Sequence, residues 1–362
     1  MGEPKDKIGI KEYTVIALLM IGTKTTDDIP AMLFDSLMNA GWTAPFIAGV
    51  IALVPLTLLL HLATKYKEKN LIDICYHLFG KFLGFIVLFI LWLIGFVYIA
   101  LDTATYTDII STMYFVKTPS IIIYAVLMGV CAYGAKRGLE QIGSVSWAVY
   151  PYLQVSLLLT LILTLGQGKA SFLFPIFGPG EWEVMKESMM NLSIYMDFLY
   201  LFILFPFVKS TTDFRKGTWI AFIVILFNLT ITMVSYVMLF DFQTAMTLNY
   251  PYHEVIRSIR MGFLINLETF FFPFWLIATF IKFAAYLYIN ILLFGKLFNI
   301  NHFEYIIPAF STLIVFIGMI PETPTFSVHY FKEMVGNIAS PMFFFLPILL
   351  WILAKIKGDL RT

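Results

Sequence analysis

The chain has 362 residues, 60% hydrophobic and 17% aromatic, with a mean hydropathy of +0.85 and only 13% charged, about half the charged share of a soluble domain. That composition excludes a water-soluble globular protein, and the length accommodates roughly ten apolar helices of ~20 residues with short connections and no sizeable extramembrane domain. A net charge of +1 without a long basic run excludes a nucleic-acid surface, and the two cysteines, Cys75 and Cys131, lie too far apart and too far from any Cys/His cluster for a disulfide framework or metal site.

Apolar runs between charged, Gly, Pro or Asn punctuation predict ten membrane-spanning helices. Five lie near 10 to 39, 43 to 62, 82 to 112, 119 to 135 and 139 to 165. Five more lie near 184 to 208, 217 to 241, 262 to 297, 303 to 320 and 326 to 355. The mixed segments 70 to 81 and 250 to 261 read as short interfacial helices beside the membrane. The N-terminal dodecapeptide carries charges of both signs and no cleavage pattern follows it, so the first span is expected to stay attached.

Basic residues set the orientation, because they accumulate in cytoplasmic connections. Placing the N-terminus inside puts sixteen of them inside, from Lys5 to Arg361. Six then fall outside, namely Lys117, Lys169, Lys186, Arg257, Arg260 and Lys332, while Lys24 and Lys282 fall within spans. Both termini are therefore expected in the cytoplasm. The longest polar connection, 167 to 183, divides the spans five and five, and an odd number per half means that the second half enters from the opposite side. The expected arrangement is one transmembrane domain built from a first repeat, 10 to 165, and an inverted second repeat, 184 to 355.

Polar chemistry concentrates at midspan. In the first span, Thr23 to Asp28 interrupt an apolar run, and Asp27 or Asp28 followed by Ile29 and Pro30 is a helix-start signal. A start signal inside a span predicts a broken helix, with the break between Gly22 and Asp28. Such breaks are tolerated at membrane depth where the freed peptide groups face protein or a wet cavity. The sixth span carries Asp197, the third Asp102 with Tyr98 one turn before it, and the eighth Lys282 with Tyr286 one turn after it. Glu268 stands near the outer end of the eighth span, ~21 Å from Lys282 by helical rise. A ligand pocket is expected from Gly22, Thr23, Lys24, Tyr98, Asp102, Asp197, Lys282 and Tyr286, with Asp27, Asp28 and Glu268 as an accompanying charge network. Ion pairing that serves stability alone is the competing reading of these same charges. An ammonium at Lys24 or Lys282 could also take the place of a coupling cation. The five histidines show no metal or catalytic spacing and no phosphate-binding glycine cluster occurs, so neither an enzyme nor a cofactor is expected.

Several islands, taken together, resemble the B subunit of spore germinant receptors, the endospore germination permease family of the amino acid, polyamine and organocation superfamily. They are Met20 to Gly22 followed by Pro30 in a broken first span, TPSIII at 118 to 123, FPIFGPG at 174 to 180, Glu268 with Trp275 seven residues on, Pro321 with Glu322, and LPILLWILAKIK at the C-terminal end. The chain departs from the pattern at Lys24, where a second glycine is usual, and at Asn266, where the family usually has Arg. The resemblance implies a LeuT-like fold of inverted five-helix repeats that binds a small, amino acid-like germinant between spans 1, 3, 6 and 8. It also implies assembly with an A-type membrane subunit and a C-type lipoprotein in the inner membrane of a bacterial spore. A working amino-acid or polyamine permease, proton-coupled through Asp102, Asp197 or a lysine, is the alternative.

Overall fold

The computed structural model describes residues 7–67, 69–258, 267–321 and 324–360. Thirteen α-helices are described: α1 (Ile10–Gly22), α2 (Ile29–Leu37), α3 (Thr43–Lys65), α4 (Leu71–Ile109), α5 (Ser120–Arg137), α6 (Leu139–Gln167), α7 (Glu181–Met190), α8 (Asp197–Ile203), α9 (Thr211–Thr247), α10 (Pro251–Ser258), α11 (Leu267–Leu297), α12 (Ile307–Gly318) and α13 (Pro324–Ile356). Among the described residues, seven helices are long and apolar enough to cross a membrane. Three predicted spans fall short for two reasons. The first and sixth are each split into two short helices, and the ninth is the 16-residue apolar stretch Phe303–Gly318.

Helix boundaries follow local chemistry. α4 opens with a reciprocal cap, in which Asp73 N–H donates to Asn70 Oδ1 at 2.9 Å and Asn70 N–H to Asp73 Oδ2 at 3.4 Å. Gly80, at φ +78°, then turns the chain between the interfacial piece predicted over 70 to 81 and the span proper. The predicted helix over 250 to 261 is present as α10, and residues 259 to 261 lie outside the described set, as do Arg260, Asn266 and Glu322.

The packing inverts that of a soluble protein. Phe82, Ile86, Ile90 and Leu93 expose an apolar stripe on α4, as Ile122 and Val126 do on α5, whereas Lys24, Asp27, Asp28, Asp102 and Lys282 are at most 1% exposed. Apolar surface outside and charge inside is the arrangement that hydrocarbon solvent selects. α11 is the innermost span, with 83% of its apolar window buried against 22% for α6. The two split spans and α4, α11 and α13 surround the charged centre.

Candidate functional site

The first break is satisfied largely by its own side chains. α1 ends at Gly22, Thr23–Thr25 form a tight 3-10 turn, and α2 starts at Ile29 with Pro30 in its first turn. Thr23 Oγ1 donates to Leu19 O, Thr25 Oγ1 to Gly22 O and Thr26 Oγ1 to Thr23 O, at 2.7 to 3.0 Å. Ile29 N–H donates to Asp27 Oδ1 at 3.0 Å, so a carboxylate of the break caps the second half-helix. Aromatic donors finish the work: Tyr106 Oη reaches Thr23 O, Tyr236 Oη reaches Thr25 O, and Trp275 Nε1 reaches Thr26 Oγ1.

The second break runs through Asn191–Tyr195 and leads into α8 at Asp197. The single helix expected over 184 to 208 is divided in the structure into α7, a 3-10 turn and α8. No Pro or Gly marks the interruption, and beside local contacts such as Asn191 Nδ2 to Glu187 O and Met196 N–H to Ser193 O, three of its groups are met by partners far along the chain. Lys24 Nζ donates to Ile194 O at 2.8 Å, Ser193 N–H donates to Ser340 Oγ at 2.9 Å, and Ser340 Oγ donates to Met190 O. Beyond the break, Tyr200 Oη donates to Leu91 O at 2.8 Å. A Cβ on Gly95 would stand 2.8 Å from Tyr200 Oη, so only glycine leaves room for that contact.

Among the described residues, three lysines and four aspartates share the interior. Lys24 Nζ lies 2.6 Å from Asp197 Oδ2 and so ties the two breaks together. Lys282 Nζ lies 2.8 Å from Asp102 Oδ2 and donates to Tyr106 Oη at 3.1 Å. Lys332 Nζ bridges Asp28 Oδ1 at 2.6 Å and Asp102 Oδ1 at 3.1 Å. Asp27 is fully buried beside this chain of contacts, and its Oδ2 has no hydrogen-bond partner among the described residues. With every group ionised, four carboxylates face three ammonium groups.

A cavity of about 490 Å³ reaches the surface between α2, α7 and α13 and ends at the second break. Of the eight expected pocket residues, Tyr98, Asp197 and Tyr286 line it. The tyrosine rings lie 6.5 Å apart, and Lys24 sits 5.4 Å from the Tyr98 ring, behind Asp197. Gly22 and Thr23 border instead a smaller cavity of about 40 Å³ that faces Gln154 and Asn228 on α6 and α9. Asp102 and Lys282 line neither and belong to the ion-pair layer behind the main cavity.

Two placements differ from the sequence reading. Glu268, grouped there with the charge network, pairs at 3.0 Å with Arg257 Nε at the rim, because the four helical turns that separate it from Lys282 keep it from the centre. Lys332, counted there as an outer-loop charge, is 5% exposed and completes the buried network. A signal was available, since Lys332 falls inside the predicted tenth span, where a lysine requires a carboxylate. Tyr200, Asp35, Glu187 and Glu333 also line the cavity without having been singled out. At the opposite end, beyond α13, Tyr66 Oη donates to Asp359 Oδ2 at 2.6 Å and His77 Nε2 lies 2.9 Å from it. Those hydrogen bonds hold the exposed Asp359 carboxyl below its usual range.

Comparison with known proteins places this geometry in context. The family described as spore germination protein matches residues 10–327. Spore germination protein YndE of Bacillus subtilis (strain 168) is 22% identical over 359 residues, 98% of each chain. Spore germination protein B2 of the same organism is 23% identical over 336 residues, 89% of each chain. The crystal structure of MhsT in complex with L-phenylalanine superimposes with a TM-score of 0.58 at 12% identity, over 98% of this chain and 90% of that one. The fold is thus LeuT-like and all-helical.

Proposed function

The chain belongs to the spore germination protein family, and from that premise we propose that it is the permease-like B subunit of a germinant receptor, which binds a small nutrient in the 490 Å³ cavity and passes a conformational change to its partners. The reading includes ten spans in an inverted five-plus-five repeat, both termini in the cytoplasm, and assembly with an A-type membrane subunit and a C-type lipoprotein in the inner membrane of the spore. It is a binding protein and not an enzyme. The observation that carries the proposal is the meeting of both split spans at one cavity, with Asp197 of the second break in its wall and Lys24 of the first directly behind. Split helices at a shared cavity are where this architecture forms ligand sites, and small displacements of the half-helices are how occupancy is transmitted.

The test is binding of candidate nutrients to the purified full chain, followed with Asn337→Trp, which places an indole in the exposed mouth of the cavity. Loss of binding in a folded Asn337→Trp protein supports the site; unchanged affinity removes it. A working permease is the second reading, favoured by the excess buried carboxylate at Asp27, which suits a proton that travels with substrate. Counterflow of labelled nutrient in proteoliposomes separates transport from sensing.

A further inference from the structure

Resting on the pocket just proposed, we infer that its ligand is a cationic amine without a carboxylate of its own. The first amide of α2, where a ligand carboxylate would be received, is already taken by a carboxylate of the chain. Half-helix N-termini at a break attract anionic groups, but here Asp27 Oδ1 accepts the Ile29 N–H and Asp28 adjoins it. An incoming carboxylate would meet two of its own sign. Lys332 is the one basic side chain among the described residues that line the cavity, and Asp28 and Asp102 hold it at 2.6 and 3.1 Å. Redirecting it, or Lys24, towards a ligand anion would strip a buried aspartate of its counter-ion.

What the wall does offer suits an ammonium group. Asp35, Glu187 and Glu333 line the cavity, and neither Asp35 nor Glu333 has an ion-pair partner among the described residues; Glu187 has only the exposed Lys186, at 3.9 Å. Deeper in, Tyr98, Tyr200 and Tyr286 line the wall. The hydroxyl of Tyr200 donates away to Leu91 O, and that of Tyr286 donates towards Met20 O or the Asp197 carboxylate, which leaves their lone pairs to accept from a ligand N–H. A ring set of this kind attracts cations, and Lys24 already exploits the Tyr98 face from behind. The wall therefore combines negative charge, acceptors and aromatic faces with no uncommitted cation among the described residues.

The experiment uses the full chain in nanodiscs, with thermal shift and competition titrations of matched probes: L-phenylalanine, phenethylamine and 3-phenylpropionate, and L-lysine against 1,5-diaminopentane. Each amine should bind roughly tenfold more tightly than its amino acid at low salt, 3-phenylpropionate should not compete, and 0.5 M salt should weaken the amine several-fold. The combined variant Asp35→Asn, Glu187→Gln, Glu333→Gln changes only side chains at the open mouth. It should reduce the preference for amine over amino acid about threefold or more. An amino acid that binds as tightly as its amine, or the absence of any amine-induced shift at 10 mM, overturns the inference. Asn337→Trp separates the two failures. If an amino acid binds and the tryptophan abolishes it, the pocket stands and the amine inference falls. If any bound probe is indifferent to the tryptophan, the pocket reading itself falls.

Discussion

The two broken helices solve one problem in opposite ways. Both expose peptide groups in a hydrocarbon-solvated bundle, where each unsatisfied group costs several kcal/mol. The first break, from Gly22 to Ile29, carries its own hydroxyls and its own capping carboxylate, and needs outside donors only from aromatic rings. The second, from Asn191 to Asp197, borrows: its carbonyl at Ile194 depends on Lys24, and Ser340 serves both Ser193 and Met190. A break held largely by its own hydroxyls and carboxylate keeps local support when distant contacts loosen, although Tyr106, Tyr236 and Trp275 also reach it from α4, α9 and α11. A borrowing break is as firm as the contacts that reach it, so it is the part of the molecule best placed to move.

The comparison breaks most directly at Lys24, the one side chain both breaks share. Lys24→Met leaves Asp197 without its counter-ion and Ile194 O without its donor, and should cost about 3–5 kcal/mol. Adding Asp197→Asn should restore a large part of that loss, as thermal unfolding in detergent would record. A second break insensitive to Lys24→Met would mean that it does not borrow at all. If the Lys24 ammonium also stands where a diffusible cation would, ligand affinity in sodium and in potassium buffers should agree within about twofold.

A smaller effect is expected at Ser340→Ala, which removes a donor and an acceptor from the second break and should cost about 1–3 kcal/mol. Thr25→Val, its counterpart at the first break, should cost about 1 kcal/mol; a reversed order would overturn the distinction. Asp27→Asn keeps the cap geometry while removing the unmatched buried charge, so stability should rise or stay level by about 0–1 kcal/mol. A large loss in that variant would show that the charge is matched after all.

The smallest effect is reserved for the cluster around Asp359 beyond α13, which serves as a control. Asp359 has a depressed folded-state pKa. Its contacts with Tyr66 and His77 therefore persist above the ordinary carboxylate value of about 4 and are lost as pH falls through the lower, folded value. Hydrogen exchange near Lys357 should rise only in that acidic window, with both breaks unchanged above it.

How much of this could be read from residues alone follows from the same contrast. The first break is legible because Thr23 to Pro30 are contiguous and the threonines, Asp27 and Pro30 act locally, and the separation of 70 to 81 from the span is legible because charge is spaced through that segment up to Lys81. The second break is invisible because its partners, Lys24 and Ser340, lie about 170 and 150 residues away. Lys332 was misplaced because charge near a span end resembles a loop charge until its aspartates are known. The distance of Glu268 from Lys282 is legible from helical rise, whereas its pairing with Arg257 is not, because the two lie on different helices. The cavity wall was only partly legible: Tyr98, Asp197 and Tyr286 were found as polar interruptions, whereas Tyr200 sits in an apolar run and owes its place to the gap at Gly95.

The interior lysines and aspartates also bear on how the chain is made. Of the buried set, Lys24, Asp27, Asp28 and Asp102 emerge from the ribosome early and sum to two negative charges, while Asp197, Lys282 and Lys332 come late and sum to one positive. Asp102 meets Lys282 only after about half the polypeptide has followed it into the membrane, and Lys332 later still. Until then the early spans hold carboxylates that hydrocarbon rejects, so they must wait near water, protonated, or in the keeping of the insertion machinery. Truncation before Lys332 would remove the lysine that bridges Asp28 and Asp102.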